Sequence, residues 1–511
     1  MTFTSRPNWA LAMPAFLAAG LISACSSDAP APTQEAGTPP AAIVFPVEND
    51  TGVNVDTTLR LTFETAPDII PDGMISVFDS ETGELIDQID MSVPYSPYPD
   101  GRMGPSTEAE RREIGRNLRP ENFQINVIEG VEFLYHPVLI QEDTAHITLH
   151  NGALDYDRSY DVQVDGSIFG LDEDISWSFQ TDTAPPDASD GQITVNADGS
   201  GDFTTLQGAV DFAPETSDTP LEIFIHNGRY DELVFVNNKS DLVFRGESRD
   251  GVIVGYPNNS AFNPPRPAPS RRPAFILYEV NDVQLSDFTI NNYFIGQAEA
   301  LLARGEHIII ENMQLNGSGD ALTTYGSIYM VDSELTGHGD TILGYASLYC
   351  LRCTLRTYGP FTWTRTPEGQ HGNVFIDSVF INENAPLPWT ITEETPEGRV
   401  VDAPLARLPR NGPTSSQINF PHAEMVLINA RTQDIMPEGW GPVEPRETFD
   451  WSGVFLAEFN TMDMDGNPVD LSQRHEIVQI LTLEEDEALI ENYSTPEFVL
   501  NGWSPDIQPP R

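Results

Sequence analysis

Short runs of alternating apolar and polar residues recur along the first third of the chain, separated by turn-forming residues. Alternation with a period of two predicts strands that bury one face, and several such strands at this spacing predict a β-sandwich. The runs are 43–45, 59–63, 74–78, 146–149, 160–164 and 175–179. We therefore expect a sandwich over residues 42–182, followed by a linker over 183–190.

The rest of the chain follows a longer period. Apolar residues close five similar segments in steps of 20 or 25 residues: 287–290, 312–315, 332–335, 352–355 and 377–380. Repeats of this length predict the coils of a parallel β-helix, in which each coil buries its inner face only when neighbours stack on it. A leucine-rich repeat has a similar period, but its LxxLxL framework is missing. We therefore expect an all-β chain in which a right-handed parallel β-helix over 191–511 follows the sandwich.

Local sequence in the first block resembles the bacterial Ig-like domains of exported proteins. The resemblance lies in Pro46, the turn at 50–52 and the closing run 177–181. Such domains are usually spacers, with carbohydrate binding as the alternative. We also expect a helical insertion between Tyr95 and Asn122.

The amino terminus predicts export. Arg6 precedes an apolar stretch over 9–22 that is too short to span a bilayer permanently and is typical of a signal peptide. It ends in Ile-Ser-Ala before Cys25, which resembles a bacterial lipobox. We therefore expect a signal peptide over 1–24 and a lipid anchor on Cys25, with an ordinary cleavage site as the alternative.

The residues that follow predict where the anchor is held. Residues 25–41 are polar and rich in Ser, Ala and Pro, so they resemble a tether. Ser26 occupies the position where inner-membrane retention signals usually carry Asp. We therefore expect an outer-membrane lipoprotein, either at the cell surface or on the periplasmic face.

Charge excludes some classes of partner. The chain has 78 acidic and 26 basic residues, which gives a net charge of −52. Such a surface repels nucleic acid and anionic lipid, so we expect neither as a partner. Adaptation to a saline environment and a generally acidic proteome are alternative explanations of the excess of acidic residues.

For the oligomeric state, we expect a monomer.

Three cysteines, Cys25, Cys350 and Cys353, form neither a disulfide framework nor a zinc site. Positions i and i+3 of a strand face opposite sides of the sheet, and no βαβ context surrounds this CxxC pair. We therefore expect packed thiols at 350 and 353 rather than a bridge.

The coil period brings three polar residues together. Gln297, Asp320 and Asp340 are 23 and 20 residues apart, so they can stack on one face at about 4.8 Å per coil. Two carboxylates this close share a proton, which pairs a nucleophile with an acid for cleaving an ester. With 78 acids in the chain, chance stacking of some pair is also expected.

Local sequences around these residues resemble the pectin methylesterases, which are β-helical carbohydrate esterases. Residues 193–211 resemble the opening of that family and 228–232 its GxYxE segment. Residues 297–301 resemble its QAVAL segment and 340–344 its DFIFG segment. Two further segments, 405–407 and 438–440, follow where the family has LGRPW and a Gly-Trp pair.

The resemblance implies a role for each polar residue. Asp340 is the nucleophile, Asp320 donates a proton and then acts as a base, and Gln297 binds the oxyanion or substrate. Arg407 binds substrate and pairs with Asp340. The implied substrate is methyl-esterified galacturonan, with no cofactor and no metal. Each residue also has a structural alternative. The two Asp could be turn residues at coil corners, Gln297 could belong to an amide ladder between coils, and Arg407 could be a surface ion-pair partner.

Three departures keep other functions open. Gly319 stands where the family has an oxyanion-stabilising Gln, and losing such a donor typically costs about 10²–10³ in rate. Pro409 replaces the family's Trp, and Thr341 replaces a Phe. The chain could be a slow esterase, an esterase for another carbohydrate ester, or a catalytically weakened pectin- or glycan-binding lipoprotein.

Two other enzyme classes fit poorly. A Ser-His-Asp hydrolase would need a GxSxG motif, which is missing. A β-helical lyase of acidic polysaccharide usually needs calcium-binding acids together with a basic Arg or Lys, and the order of motifs here does not fit that class. Four aromatic residues are candidate sugar platforms that more often serve packing: Tyr293, Tyr345, Trp363 and Trp440.

Overall fold

A computed structural model describes residues 42–95, 122–259, 273–294, 298–383, 402–407, 420–441 and 451–511. The predicted signal peptide, Cys25, the tether over 25–41, the insertion between Tyr95 and Asn122, and Gln297 lie outside the described residues. No helix in the described ranges is both long and apolar enough to cross a membrane.

Strands dominate the described residues. In the first block they are β1 (Ile43–Phe45), β2 (Asp50–Val53), β3 (Leu59–Thr62), β4 (Met74–Asp79), β5 (Leu85–Asp90), β6 (Ile125–Ile128), β7 (Val131–Leu134), β8 (Val138–Gln141), β9 (Thr144–Ile147), β10 (Ser159–Val164) and β11 (Ile175–Thr181). A 3-10 helix spans Gly166–Phe169.

In the second block the strands are β12 (Gln192–Val195), β13 (Leu221–Ile225), β14 (Gly228–Tyr230), β15 (Val234–Asn237), β16 (Ser240–Gly246), β17 (Val252–Tyr256), β18 (Phe275–Ser286), β19 (Thr289–Asn292), β20 (Leu301–Glu311), β21 (Gln314–Asn316), β22 (Leu322–Val331), β23 (Glu334–Thr336), β24 (Ile342–Gly344), β25 (Ser347–Leu351), β26 (Thr354–Thr357), β27 (Thr362–Thr364), β28 (Asn373–Ile376), β29 (Val379–Asn382), β30 (Glu424–Ile428), β31 (Arg431–Gln433), β32 (Phe455–Phe459) and β33 (Val478–Ile480). The helices are α1 (Leu206–Phe212), α2 (Leu483–Tyr493) and α3 (Pro496–Val499).

The first block is a sandwich of two sheets, as the alternating pattern predicted. One sheet has the order β1-β3-β9-β8 and the other β2-β11-β10-β4-β5, and inward residues of both share one core, Leu61 and Val162 among them. The pattern predicted a strand at 146–149, whereas β9 covers Thr144–Ile147, two residues earlier. The resemblance to Ig-like domains stays a prediction.

The second block is a parallel β-helix, and the predicted repeat is its coil. Among the described residues, a 14-stranded and an 8-stranded sheet run along it, and the strands within each sheet pair in parallel. The apolar residues that close the repeats stand directly above one another in the order Ile290, Leu315, Leu335, Leu355 and Phe380. All five are fully buried, so the period arises because each coil adds one residue to the same interior row.

The polar residue that opens each repeat forms a corner. Asp287, Asn312, Asp332, Arg352 and Asp377 all have φ between 47° and 64°. Asp and Asn tolerate this left-handed conformation better than other residues with side chains, which explains their recurrence here. The corner side chains also bond from coil to coil, as between Asn312 Nδ2 and Asp287 Oδ1 at 2.7 Å.

The prediction of free thiols at Cys350 and Cys353 was wrong, because the two residues form a disulfide. That prediction treated both as parts of one strand. Instead, β25 ends at Leu351 and β26 begins at Thr354, with the left-handed corner at Arg352 between them. The corner turns both side chains into the core, where their Cα atoms are 6.1 Å apart.

The first block packs directly on the start of the β-helix. Phe133 belongs to the core of the second block and contacts Phe235 at a ring distance of 5.3 Å. Polar contacts join the same surfaces, with Arg60 Nη1 donating to the carbonyl of Ala197 at 2.8 Å. Residues 42–511 accordingly form one compact unit.

Acid will weaken the packing between the two blocks. Burial lowers the pKa of His136 and of His146 to about 4, below their ordinary value of 6.5. The unfolded chain therefore binds more protons than the folded one between pH 6.5 and 4, so these residues reduce stability as the pH falls through that range. In thermal melting, we expect His146→Gln to cost less stability at pH 4.5 than at pH 7.5. An equal cost at both pH values would contradict this.

Candidate active site

A repeated turn sequence positions the two predicted carboxylates. Gly-x-Gly-Asp occurs at 317–320 and again at 337–340, immediately before β22 and β24. Gly319 and Gly339 have φ of 106° and 109°, in the left-handed region that favours glycine. The second turn lies directly above the first, since His338 N donates to the Gly319 carbonyl at 3.2 Å.

Asp320 and Asp340 therefore occupy equivalent positions in adjacent coils. Leu322 and Ile342, two residues further on, are direct partners in the sheet, and Ala321 N donates to the Thr341 carbonyl at 2.9 Å. The rise between neighbouring parallel strands is about 4.8 Å. Both Asp residues are more than nine-tenths buried, so the corner holds two shielded carboxyl groups.

Arg407 reaches the same corner from a separate segment. Its backbone N donates to the Thr362 carbonyl at 3.0 Å, and Ala406 forms a parallel β-bridge with Thr362. The segment 402–407 therefore lies alongside β27. Arg407 Nε lies 2.8 Å from Asp340 Oδ1, so the two residues that the resemblance pairs are in contact. An ion pair of this kind orients the carboxylate and stabilises its negative charge.

Aromatic rings flank this ion pair. The Arg407 guanidinium lies 4.8 Å from the centre of the Trp363 ring, and Trp363 packs edge-on against Phe420 at 6.0 Å. The position of the family's Trp, Pro409, lies outside the described residues. Trp363 thus places an indole beside Arg407 from β27, one coil beyond the Asp340 strand.

The four predicted sugar platforms separate into two groups. Tyr345 and Trp363 lie at the site, whereas Trp440 is fully buried and donates to Glu458 Oε1 at 3.0 Å. Tyr293 is also buried, with its hydroxyl 2.9 Å from Asp231 Oδ1. Sequence reasoning missed Arg365 and Phe420, because neither belongs to a motif and Phe420 joins the site only through the fold.

Backbone conformation explains why residue 319 is glycine. A side chain at φ of 106° is strained, so we expect Gly319→Gln to lower stability by about 1–2 kcal/mol and not to raise activity. Gly319→Ala is the matched control, because it adds the same strain without an amide. Thermal melting would be measured for both variants, together with methanol release from methylated galacturonan, the reaction that the family resemblance implies. Faster release by the Gln variant than by the wild type would contradict the prediction.

Comparison with known proteins finds a family match over the part of the site that contains Asp320, Asp340 and Trp363. Residues 192–372 match the family model Pectinesterase. Probable pectinesterase/pectinesterase inhibitor 61 of Arabidopsis thaliana is 28% identical over 148 residues, which are 28% of this chain and 24% of the relative. Probable pectinesterase 30 of the same plant is 30% identical over 153 residues, 29% of this chain and 30% of the relative. The chain thus spans about a quarter to a third of the length of these relatives.

Solved structures match over a longer range with low identity. Pectin methylesterase PemA from Erwinia chrysanthemi is 19% identical, with 62% of this chain and 98% of that chain covered and a TM-score of 0.47. Pectin methylesterase from Yersinia enterocolitica is 20% identical, with 59% and 100% covered and a TM-score of 0.43.

Proposed function

Because residues 192–372 match the pectinesterase family model, we propose that this protein removes methyl esters from methylated galacturonan, releasing methanol through an aspartate nucleophile. One observation carries the assignment of the site. Two buried carboxyl groups, Asp320 and Asp340, stand one coil apart, and Arg407 contacts the second. A protein that only bound glycan would have no need of both acids at one corner.

In the first half of the reaction, the Asp340 carboxylate attacks the ester carbonyl carbon. Arg407 holds Asp340 in its charged form and fixes its orientation. Gln297 donates a hydrogen bond to the oxyanion, in the role that the family resemblance gives it. Asp320 protonates the leaving oxygen, so methanol departs and an acyl-enzyme on Asp340 remains.

In the second half, Asp320 acts as a base. Having lost its proton, its carboxylate accepts one from a water molecule that attacks the acyl carbon. The bond to Asp340 breaks, which regenerates both residues and releases the carboxylic acid of the polymer, which then loses its proton to solvent. The chemistry needs one neutral and one ionised carboxyl at the start, a state that two stacked acids favour.

We further propose that the protein is exported and anchored in the outer membrane by lipid on Cys25, with the Ig-like block as a spacer and a monomeric state. The lipobox-like sequence before Cys25 and the tether over 25–41 support this location. Mass spectrometry of protein purified from cell envelopes, compared with a Cys25→Ser variant, would test it. A wild-type amino terminus without lipid would contradict the anchor.

Methanol release from highly methylated pectin tests the enzymatic function. A protein with a net charge of −52 repels a polyanion, so we expect the enzyme to be more active on methylated stretches of the polymer. We expect its activity to stay the same or rise as the salt concentration increases, because salt screens the repulsion. Methanol and new carboxyl groups should appear in equal amounts. No release at any salt concentration by folded protein would refute the esterase for this polymer.

The alternative of a weakened pectin- or glycan-binding lipoprotein has one observation in its favour. Gly319 replaces the oxyanion-stabilising Gln, and its φ of 106° leaves no unstrained place for that side chain. Under this alternative, the protein would bind pectin in a pull-down assay without releasing methanol. The same purified protein can be used for both measurements.

A further inference from the structure

Arg365 carries a guanidinium held by aromatic rings. The guanidinium carbon lies 3.7 Å from the centre of the Trp363 ring and 5.2 Å from that of Phe420. Nη1 donates to the Tyr345 hydroxyl, the one side-chain hydrogen bond that Arg365 makes among the described residues. Stacking and this bond fix the plane of the cation without neutralising it.

The charge of Arg365 has no counterpart among the described carboxylates, since none lies within 4 Å of it. Arg304, Arg352 and Arg407, on the same β-helix, each contact a carboxylate at 2.7–2.8 Å. Acidic residues outnumber basic ones three to one in this chain, so a half-buried arginine away from them is unusual. A charged group in such surroundings favours an anion supplied from outside the protein.

Arg365 also shares an aromatic neighbour with the arginine that contacts the proposed nucleophile. Its guanidinium carbon and that of Arg407 both lie within 4.8 Å of the Trp363 ring centre, and Arg407 contacts Asp340. Asp340 neutralises Arg407, whereas Arg365 keeps its charge. One indole therefore contacts both a cation that the reaction uses and a cation that has no carboxylate partner among the described residues.

We propose that Arg365 binds the free carboxylate of a galacturonate unit beside the ester that Asp340 attacks. This inference rests on the proposed function and specifies which units of the polymer the site selects. The planar guanidinium fork matches a carboxylate, and the surrounding rings exclude water and strengthen the ionic bond. A methyl ester at the same place offers no charge and binds more weakly.

This local preference is compatible with an acidic surface. The net charge repels a polyanion over distances that salt screens, whereas contact with Arg365 acts at hydrogen-bond range. At moderate salt the repulsion fades first. Partly demethylated polymer should therefore bind better at moderate salt than at low salt, because the long-range repulsion is screened while the short-range contact with Arg365 remains.

Kinetics on two polymers test the role of Arg365. We expect Arg365→Gln to raise KM roughly tenfold on partly de-esterified pectin, with kcat and the KM on fully methylated pectin within about twofold of wild type. Arg365→Lys keeps the charge and should recover part of the loss. Arg431→Gln is the matched control, since it removes an exposed positive charge from β31.

Binding keeps the inference separate from the proposed function. Calorimetry with fully de-esterified trigalacturonate needs no turnover, and we expect its affinity to fall roughly tenfold in Arg365→Gln. Equal KM shifts on both polymers, or unchanged trigalacturonate affinity, would overturn the role of Arg365. Absence of methanol release by wild type, with Arg365-dependent binding retained, would overturn only the esterase.

Discussion

Replacing Asp340 with Asn will lower methanol release by about 10⁴-fold or more, because an amide cannot form the acyl-enzyme. Asn tolerates the φ of 49° at this position, so the backbone should be retained. Initial rates on highly methylated pectin would be measured with the thermal midpoint of the same preparation. We expect the midpoint to shift by only a few degrees.

Asp332→Asn is the matched control for this substitution. Asp332 also sits at a left-handed corner, with φ of 50°, and contacts an arginine, Arg352, at 2.7 Å. It therefore reproduces the loss of a corner carboxylate and its ion pair away from the site. We expect its rate to stay within about twofold of wild type. Retention of a tenth or more of the rate by Asp340→Asn would rule out Asp340 as the nucleophile.

The β-helix was predictable because one physical constraint repeats along the chain. Each coil needs a left-handed corner, which favours Asp or Asn, and an inward residue three positions later, which is apolar. Both marks recur every 20 or 25 residues, so period and register could be obtained without a structure. The stacking of Asp320 on Asp340 followed from the same period.

Contacts between residues that do not occupy equivalent positions in successive coils could not be predicted from the sequence. Arg365 acquires its surroundings from Tyr345, Trp363 and Phe420, and no spacing in the sequence links Phe420 to that place. The Cys350–Cys353 disulfide needed the position of a corner within a four-residue segment, whereas the pattern indicated only that strands were present.

One of the contacts between the two blocks is a close approach of Asp56 to the start of α1. Asp56, in the first block, accepts hydrogen bonds from the backbone N of Thr205 at 2.7 Å and of Thr204 at 3.1 Å, at the start of α1. Burial raises the pKa of Asp56. Gly208 makes room for it, since a Cβ at that position would lie 2.5 Å from the Asp56 Cβ and closer still to Oδ2.

In a double-mutant cycle on this pair, the effect of Gly208→Ala on the free energy of unfolding should change sign when the Asp56 side chain is removed. We expect Asp56→Gly to cost about 2–4 kcal/mol, because it leaves buried N–H groups unpaired and frees the unfolded backbone. We expect Gly208→Ala to cost about 1–3 kcal/mol through the clash. In the Asp56→Gly background no Cβ remains at position 56, so the same Gly208→Ala should stabilise by about 0.5–1 kcal/mol, because Ala favours helix. Urea unfolding of the four proteins measures the coupling.

Additive costs in the cycle would contradict the close approach. They would mean that the two residues act independently and that α1 adjusts to a larger residue at 208 without moving the first block. A coupling of about 2 kcal/mol or more would instead identify Asp56 as a residue through which the sandwich stabilises the first coil. The first block would then contribute to the stability of the β-helix that carries the site, because α1 packs against β12 and β15 of that coil.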